Sequence, residues 1–467
     1  IDLPPLTAGD ALDCARAAAP DDVSALALES IVERADGVPR CVAGLARLAP
    51  AAGAASGPEL GATPADLKDR IAGLLAELSQ PARDVLALAA VFETAVSRAA
   101  IASVAGLSDQ VIDAGFAEMC DLGLTDRVGR AGDARYRIRH RLIRETAYDL
   151  LPADRRRALH REIAEALLSL PDEATPDRLA WHHARAGDPA KAVAEYERAG
   201  QAAASRGDQA LAADFFRAAL GLLPDIAPQQ DSAQTELRLL LQLGPQLRSE
   251  LGLASDEVMA VYDRARSLAL AAGQMDLAVM APILTGLFAY SVVRADISAA
   301  IGLGAEYLSS AHETGESADL VAGNYMLGLG RFYRGHLDAA NGYLACARQF
   351  HSAGQDSLHI ERFAFNPAIG AGAYLAWIAA LKGQAGATRT AIRRVLSEAK
   401  RQDQSSGTMF AQVLCAGVHA FMGQDAEAAR LADAVVADGP GLVQWRAQAR
   451  ILTGRVRDRQ GDPDGMV

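Results

Sequence analysis

Residues Gly335 to Leu344 read GHLDAANGYL, and four other stretches of the chain share that layout. Aligning Gly187, Gly207, Gly335, Gly383 and Gly423 puts a small residue five positions on, namely Ala192, Ala212, Ala340, Thr388 and Ala428. Nine positions on stand Tyr196, Phe216, Leu344, Ile392 and Ala432. The glycine ends one helix, the small residue lets the next helix approach, and the larger apolar residue fills the gap between them. A weaker copy begins at Ala295, with Ala300 as its small residue. The alignment predicts six or seven helical hairpins.

This small-x3-large spacing is the one tetratricopeptide repeats use in their second helix. The successive intervals Gly335 to Gly383, Gly383 to Gly423 and Gly423 to Gly461 are 48, 40 and 38 residues, longer than the ~34 of the standard repeat. Longer helices or irregular turns are therefore expected. Such hairpins bury their apolar faces only by stacking, which is expected to leave an extended groove for a protein or peptide.

Composition agrees with a helical chain. Apolar residues make up 50% and aromatics only 5%, with Ala abundant, a mix suited to close helix packing and poor in strand signals. The net charge of -12 disfavours nucleic acid over the surface as a whole. Cys14, Cys41, Cys120, Cys346 and Cys415 are scattered, as in reduced, cytoplasmic proteins. The uncharged stretch Leu277 to Val293 contains Pro282, Thr285 and Gly286, and a buried hairpin fits it better than a membrane span. No signal peptide is legible at the start, and no membrane partner is expected. A first residue Ile1 and a last segment just after Gly461-Asp462-Pro463 suggest a fragment of a longer protein.

Upstream of the repeats, residues 1–48 hold short helical patterns, and 49–63 (AGAASGPELGAT at its heart) read as a linker. Residues 64–152 are compact. One apolar face comprises Leu67, Ile71, Leu74, Leu75 and Leu78, and a helix follows Pro81. A short helix from Ser97 to Val104, a turn at Gly106, a helix capped by Ser108 and ended by Gly123, and a hairpin around Gly129 and Gly132 come next. With a last helix near His140, this spells a winged helix. Residues 153–467 are read as tetratricopeptide-like repeats, so the fold class is all-α with one small β-hairpin.

No catalytic constellation emerges. No Gly-Lys pair exists for a phosphate loop, and there is no G-x-S-x-G or H-E-x-x-H. The pairs Gly302/Gly304, Gly328/Gly330 and Gly370/Gly372 lie in helical patterns and read as close helix packing. His182 and His183 are adjacent, so they project apart and fit packing or a polar contact better than one metal ion. The helix Ser108 to Leu122 would enter the DNA groove, yet it carries Asp109, Asp113, Glu118 and Asp121 and no cation. From Arg127 to Arg161, by contrast, eleven arginines face four acidic residues. Arg137, Arg139, His140, Arg141 and Arg144 there allow two readings: a solvated face with pairs such as Arg141–Glu145, or an anion site at a helix start.

Two segments resemble a known family. Ile31 to Pro39 (IVERADGVP) resembles the end of the ATPase lid in bacterial STAND-type AAA regulators. Tyr136 to Tyr148 (YRIRHRLIRETAY) resembles their winged-helix segment, and Arg362 to Pro367 before Tyr374-Leu375-Ala376-Trp377 resembles their repeats. In that family such regions sit behind adenylate/guanylate cyclase domains or beside DNA-binding domains. The resemblance implies that Gly37, Val38 and Pro39 lie against a nucleotide and that His140 reaches its diphosphate. It implies ATP or ADP in the full-length parent, while this chain lacks the phosphate-binding half and is expected to hold no cofactor. The expected function is a non-enzymatic regulatory module that binds a protein or peptide in its repeat groove and contacts its own ATPase and output domain. The alternatives are a DNA-binding transcription regulator and the non-catalytic part of a cyclase.

Overall fold

The computed structural model describes residues 6–19, 64–92, 95–128, 135–170, 174–226, 232–352, 365–401, 405–437 and 443–459, with single positions between them. Helix dominates, and the contacts divide the chain into two compact units, Ile1–Ala192 and Val193–Val467. The linker 49–63 lies outside the described residues, as do Gly37, Val38 and Pro39.

In the first unit, α1 (Ala8–Ala18) starts at Thr7, whose hydroxyl accepts the Asp10 N–H. The larger core begins with α2 (Pro64–Ala76) and α3 (Gln80–Phe92) and continues through α4 (Arg98–Ala105) and α5 (Asp109–Asp121). Ser97 caps α4 by accepting from Ala100 N–H at 3.1 Å, and Gly106 ends it at φ +60°. A three-stranded antiparallel sheet follows the order β1 (Val96–Ser97), β3 (Arg135–Ile138), β2 (Thr125–Val128). Phe116 of α5 stacks on Tyr136 of β3 with centroids 3.7 Å apart, which fixes the sheet against the helix. The unit closes with α6 (Arg141–Asp149), α7 (Ala153–Leu167) and α8 (Pro176–Ala186).

Two features differ from the sequence reading. The hairpin gains a third strand, β1, because two residues are too short for alternation to show. The contacts divide at 192/193, whereas the sequence pattern places the start of the repeats at 153. Leu159, Ile163 and Leu167 of α7 and Leu179 of α8 fill the same core as Val85, Ile101 and Phe116. Helical periodicity marks their apolar face but does not say which core receives it.

The second unit is a run of helical hairpins. They pair α9 (Pro189–Ser205) with α10 (Gln209–Leu222), α11 (Ser232–Leu251) with α12 (Asp256–Ala271), and α13 (Leu277–Val293) with α14 (Ile297–Thr314). Then come α15 (Ser317–Tyr333) with α16 (Leu337–Phe350), α17 (Pro367–Leu381) with α18 (Ala385–Arg401), and α19 (Ser405–Phe421) with α20 (Asp425–Ala437). The last helix is α21 (Val443–Arg459). Turn residues such as Gly335 (φ +82°) adopt the left-handed conformation that closes the first helix of a pair. The weaker copy obeys the same rule without glycine: Ala295 sits at φ +62°.

The aligned positions do what their sizes require. Ala192, Ala212, Ala340, Thr388 and Ala428 are each fully buried. Phe216 and Leu344 are buried too, and each fills a notch in the preceding helix. A Cβ added at Gly200 would meet the Phe216 ring at 2.6 Å, and one at Gly328 would meet Leu344 at 2.8 Å. Both glycines lie seven positions before their turn, where the next two hairpins carry the fully buried Ala376 and Ala416. Ile392 and Ala432 are buried in the C-terminal core, whereas Tyr196 stays half-buried and stacks on Phe215 at 6.1 Å. The other paired glycines follow suit: Gly304 faces Leu327 backbone, Gly330 Ile301, Gly370 Tyr325 and Gly372 Val395. Only Gly302 of those pairs faces open space. The packing register is that of tetratricopeptide-type hairpins. The apolar helix α13 is buried among its neighbours, and among the described residues no helix is long and apolar enough to cross a membrane.

Two measurements check this packing. Ala295→Gly relieves a left-handed alanine and should stabilise the chain by about 0.5–1 kcal/mol in urea unfolding. Gly328→Ala should cost roughly 1–3 kcal/mol. Combined with Leu344→Ala, which empties the notch, its cost should shrink by on the order of 1 kcal/mol in a double-mutant cycle.

Candidate functional site

The basic hairpin leads into α6 through His140, which is the N-cap of that helix. Its Nδ1 accepts the Leu142 N–H at 3.2 Å, so the proton of the neutral ring sits on Nε2. That Nε2 is buried and meets no hydrogen-bond partner among the described residues. Burial holds the imidazole below its ordinary pKa, with Glu145 opposing, so the ring is neutral near pH 7. A neutral Nε2–H beside a helix start is a donor without an acceptor.

The four flanking arginines are not equivalent. Arg139 donates Nε and Nη2 to Asp126 at 3.1 and 2.7 Å across the hairpin. Arg141 pairs with Glu145 at 2.5 Å, one helical turn on. Both guanidiniums are therefore engaged within the chain. Arg144 is half-buried and also has a partner. Arg137, on β3, is exposed, and no ion pair engages it among the described residues. The acidic helix α5 is likewise engaged: Arg98 pairs with Asp109 and Asp113 at 3.7 and 3.2 Å, and Glu118 accepts from the Ser79 N–H at 2.9 Å.

A second cluster was not foreseen. His182 is 1% exposed and its Nδ1 lies 3.0 Å from Nδ1 of His160, whose Nε2 lies 3.0 Å from the Tyr148 hydroxyl. Tyr148, His160 and His182 thus form one chain from α6 through α7 to α8. One Nδ1 must donate and the other accept, so the two rings are not both protonated in this arrangement. Two imidazoliums 3.0 Å apart in a buried site would repel each other. His182 also meets Phe92 edge-on, and Trp181 packs beside it while Arg185 lies 4.1 Å above the Trp181 ring. Burial, with Arg185 and Arg156 nearby, lowers His160 to about 4. Burial, with His160, Arg178, His183 and Arg185, lowers His182 to about 3. His183 is buried as well. Among the described residues no group of three or more His, Cys, Asp or Glu is placed to hold a metal ion. Sequence flagged His182 by its neighbour, but nothing marked His160 as its partner 22 residues away.

Comparison with known proteins places the chain loosely. No family model matches it. An uncharacterised protein of Rhizobium meliloti (strain 1021) is 30% identical over 154 residues, covering 32% of this chain and 15% of that protein's length. Among solved structures, a Rap protein complexed with competence and sporulation factor is similar with a TM-score of 0.44 and 14% identity, over 67% of this chain and 89% of that one. A STAND protein with a tetratricopeptide repeat sensor from Pyrococcus horikoshii gives 0.36 and 12%, over 99% and 70%. A tetratricopeptide repeat protein from Parabacteroides merdae gives 0.38 and 16%, over 58% and 88%. The repeat fold rests on the packing above and not on these likenesses.

The buried imidazoles predict a pH dependence. The unfolded chain takes up two protons near pH 6.5, whereas the folded pair resists protonation to about 4 and 3. Stability is therefore undiminished above pH 7 and falls as pH drops below 6.5, by up to roughly 1.4 kcal/mol per histidine per pH unit. Unfolding measured from pH 7.5 to 4.5 should show this slope, and His160→Asn with His182→Asn should flatten it. An unchanged slope in the double variant would contradict the neutral pair.

Proposed function

We propose that this chain is a regulatory module of a STAND-type ATPase that binds a partner protein or peptide through its helical repeats and thereby controls an output domain. The carrying observation is the apolar core that passes from α10 to α17 without interruption, with Phe216, Tyr262, Leu344 and Tyr374 among its members. Helix pairs stacked on one another present a long surface held rigidly from behind, which suits recognition of extended partners. In this reading the chain acts by binding and not by catalysis.

Within the same proposal, α3 to α6 and the three-stranded sheet are a winged helix. In this reading the Nε2–H of His140, which meets no hydrogen-bond partner among the described residues, would donate to the diphosphate of ATP or ADP held by an ATPase portion of the parent. The cytoplasm is the compartment this reading requires. A cyclase as the output domain would leave the role of this chain unchanged. The DNA-binding alternative draws on exposed Arg127 and Arg137, but α5 offers a duplex only carboxylates.

Panning a random peptide library against the purified chain tests the central claim. Peptides that bind saturably and compete with one another support it, and failure to enrich any sequence overturns it. The same preparation should neither hydrolyse ATP nor shift mixed duplex DNA at micromolar protein and physiological salt.

A further inference from the structure

The helix α8 is held to its unit by little apolar surface. It packs on α7, and among its buried residues, Leu179, Ala180, His182, His183 and Ala186, only Leu179 is a large aliphatic. By contrast, α7 sends Leu159, Ile163 and Leu167 into the same core. The polar chain Tyr148–His160–His182, with both links at 3.0 Å, supplies the rest of the attachment. Tyr148 lies on α6, His160 on α7 and His182 on α8, so the chain ties three helices together. Along the sequence α8 leads directly into α9.

We propose that the Tyr148–His160–His182 chain is an acid-released latch, which holds α8 on α7 at neutral pH and frees it in acid while the repeats stay folded. Geometry limits how many protons the closed latch can hold. One added proton can still be shared along the Nδ1–Nδ1 line, with an imidazolium donating to an imidazole. A second would set two N–H groups face to face 3.0 Å apart.

Even the first added proton lacks a counter-charge. His160 and His182 are 0% and 1% exposed. The charged side chains that act on them are Arg156 of α7 and Arg178 and Arg185 of α8, all of them cations. Asp149, the carboxylate next to Tyr148 on α6, is engaged by Lys68 and Arg156. From α3 the Phe92 edge meets His182, and the charged residues of that helix, Arg83 and Asp84, bond to Leu78 and Gln80 near its other end. Arg98, the one charged residue of α4, pairs with Asp109 and Asp113 of α5. A charge on the pair is therefore relieved by water, which reaches it when α8 lifts away.

Proton uptake then drives the opening. Freed imidazoles titrate at about 6.5. Below that value the open form gains up to two protons, so each pH unit favours it by up to about a hundredfold. Local openings span a wide range of populations, and elements with few apolar contacts lie at the easily opened end. An opening present in roughly one molecule in ten thousand at pH 7 becomes even near pH 4.5 by this arithmetic.

The test is hydrogen exchange of the full chain, read by mass spectrometry as protection relative to intrinsic rates from pH 7 to 4.5. Protection of α8 should fall by at least about a hundredfold across this range, while α10 to α17 keep theirs. In His160→Asn with His182→Asn, the protection of α8 should no longer depend on pH. Should the double variant not fold, Tyr148→Phe takes its place: loss of one link should lower α8 protection at pH 7 by about fivefold and leave its fall with pH unchanged. Protection of α8 that stays level, that falls only together with α10 to α17, that keeps its slope in the double variant, or that is indifferent to Tyr148→Phe would overturn the proposal.

Discussion

The insertion of one side chain into the notch left by a missing one governs the second unit. Phe216 enters at Gly200 and Leu344 at Gly328, and Tyr262 is held between Gly244 and Gly286 on two different helices. A glycine inside a helix costs about 1 kcal/mol in propensity. α15 contains Gly323, Gly328 and Gly330, and α17 contains Gly370 and Gly372, so both are poor helices by themselves. Burial of a large apolar side chain returns roughly 1.5–3 kcal/mol each. The two terms decide that these helices exist because they are packed and not because they propagate well. They are buried on nearly every side, as helices apolar all round must be.

Polar links lie over this apolar register. Arg217 reaches Glu257, Arg266 reaches Glu306 and Arg348 reaches Glu398, in each case from the second helix of one hairpin to that of the next. The first two pairs are about a third exposed or more and contribute on the order of 0.2–1 kcal/mol each. Arg348 and Glu398 are 12% and 18% exposed, so their pair is worth more and breaking it leaves a poorly hydrated charge. Burial pushes the Glu398 carboxyl up, but hydrogen bonds from Arg348 and Arg394 outweigh it and hold the group below the ordinary value. That contribution is present above the unfolded carboxylate range and is lost as pH falls through the lowered value. The histidine pair of the first unit begins to lose stability at higher pH. Acid therefore weakens the two units in different windows and for opposite electrostatic reasons, one by charging a buried base and the other by discharging a paired acid.

The hairpins were legible because sterics dictates residue type at three positions: a turn that prefers glycine, a contact that admits only small side chains, and a gap that needs a large one. Where type and role separate, reading failed or weakened. Ala295 does the work of a turn glycine under strain, so its hairpin looked like a poor copy. Gly302 shares the spacing of the packed glycines but meets nothing. Tyr196 holds the right position in the alignment yet stacks on Phe215. The candidate site was legible only in part. The N-capping position of His140 follows from the helix start, and the Arg141–Glu145 pair from their spacing on one helix. The Arg139–Asp126 pair crosses the hairpin, and the meeting of His160 with His182 depends on how α7 crosses α8. Neither has a local signature.

Because each hairpin packs mainly on its sequence neighbours, stability along the array is a sum of local and nearest-neighbour contributions. A ligand touching one hairpin stabilises that hairpin alone, by an amount set by its concentration relative to its dissociation constant. A ligand lying across several hairpins couples to every interface it spans, since opening any one of them breaks the bound geometry. The notches make that coupling discrete: Leu344 is either seated at Gly328 or displaced from it, with little room between. An array built on such contacts couples each hairpin most strongly to its neighbours. That property, more than the chemistry of any one side chain, makes this architecture suited to reporting what is bound along its length.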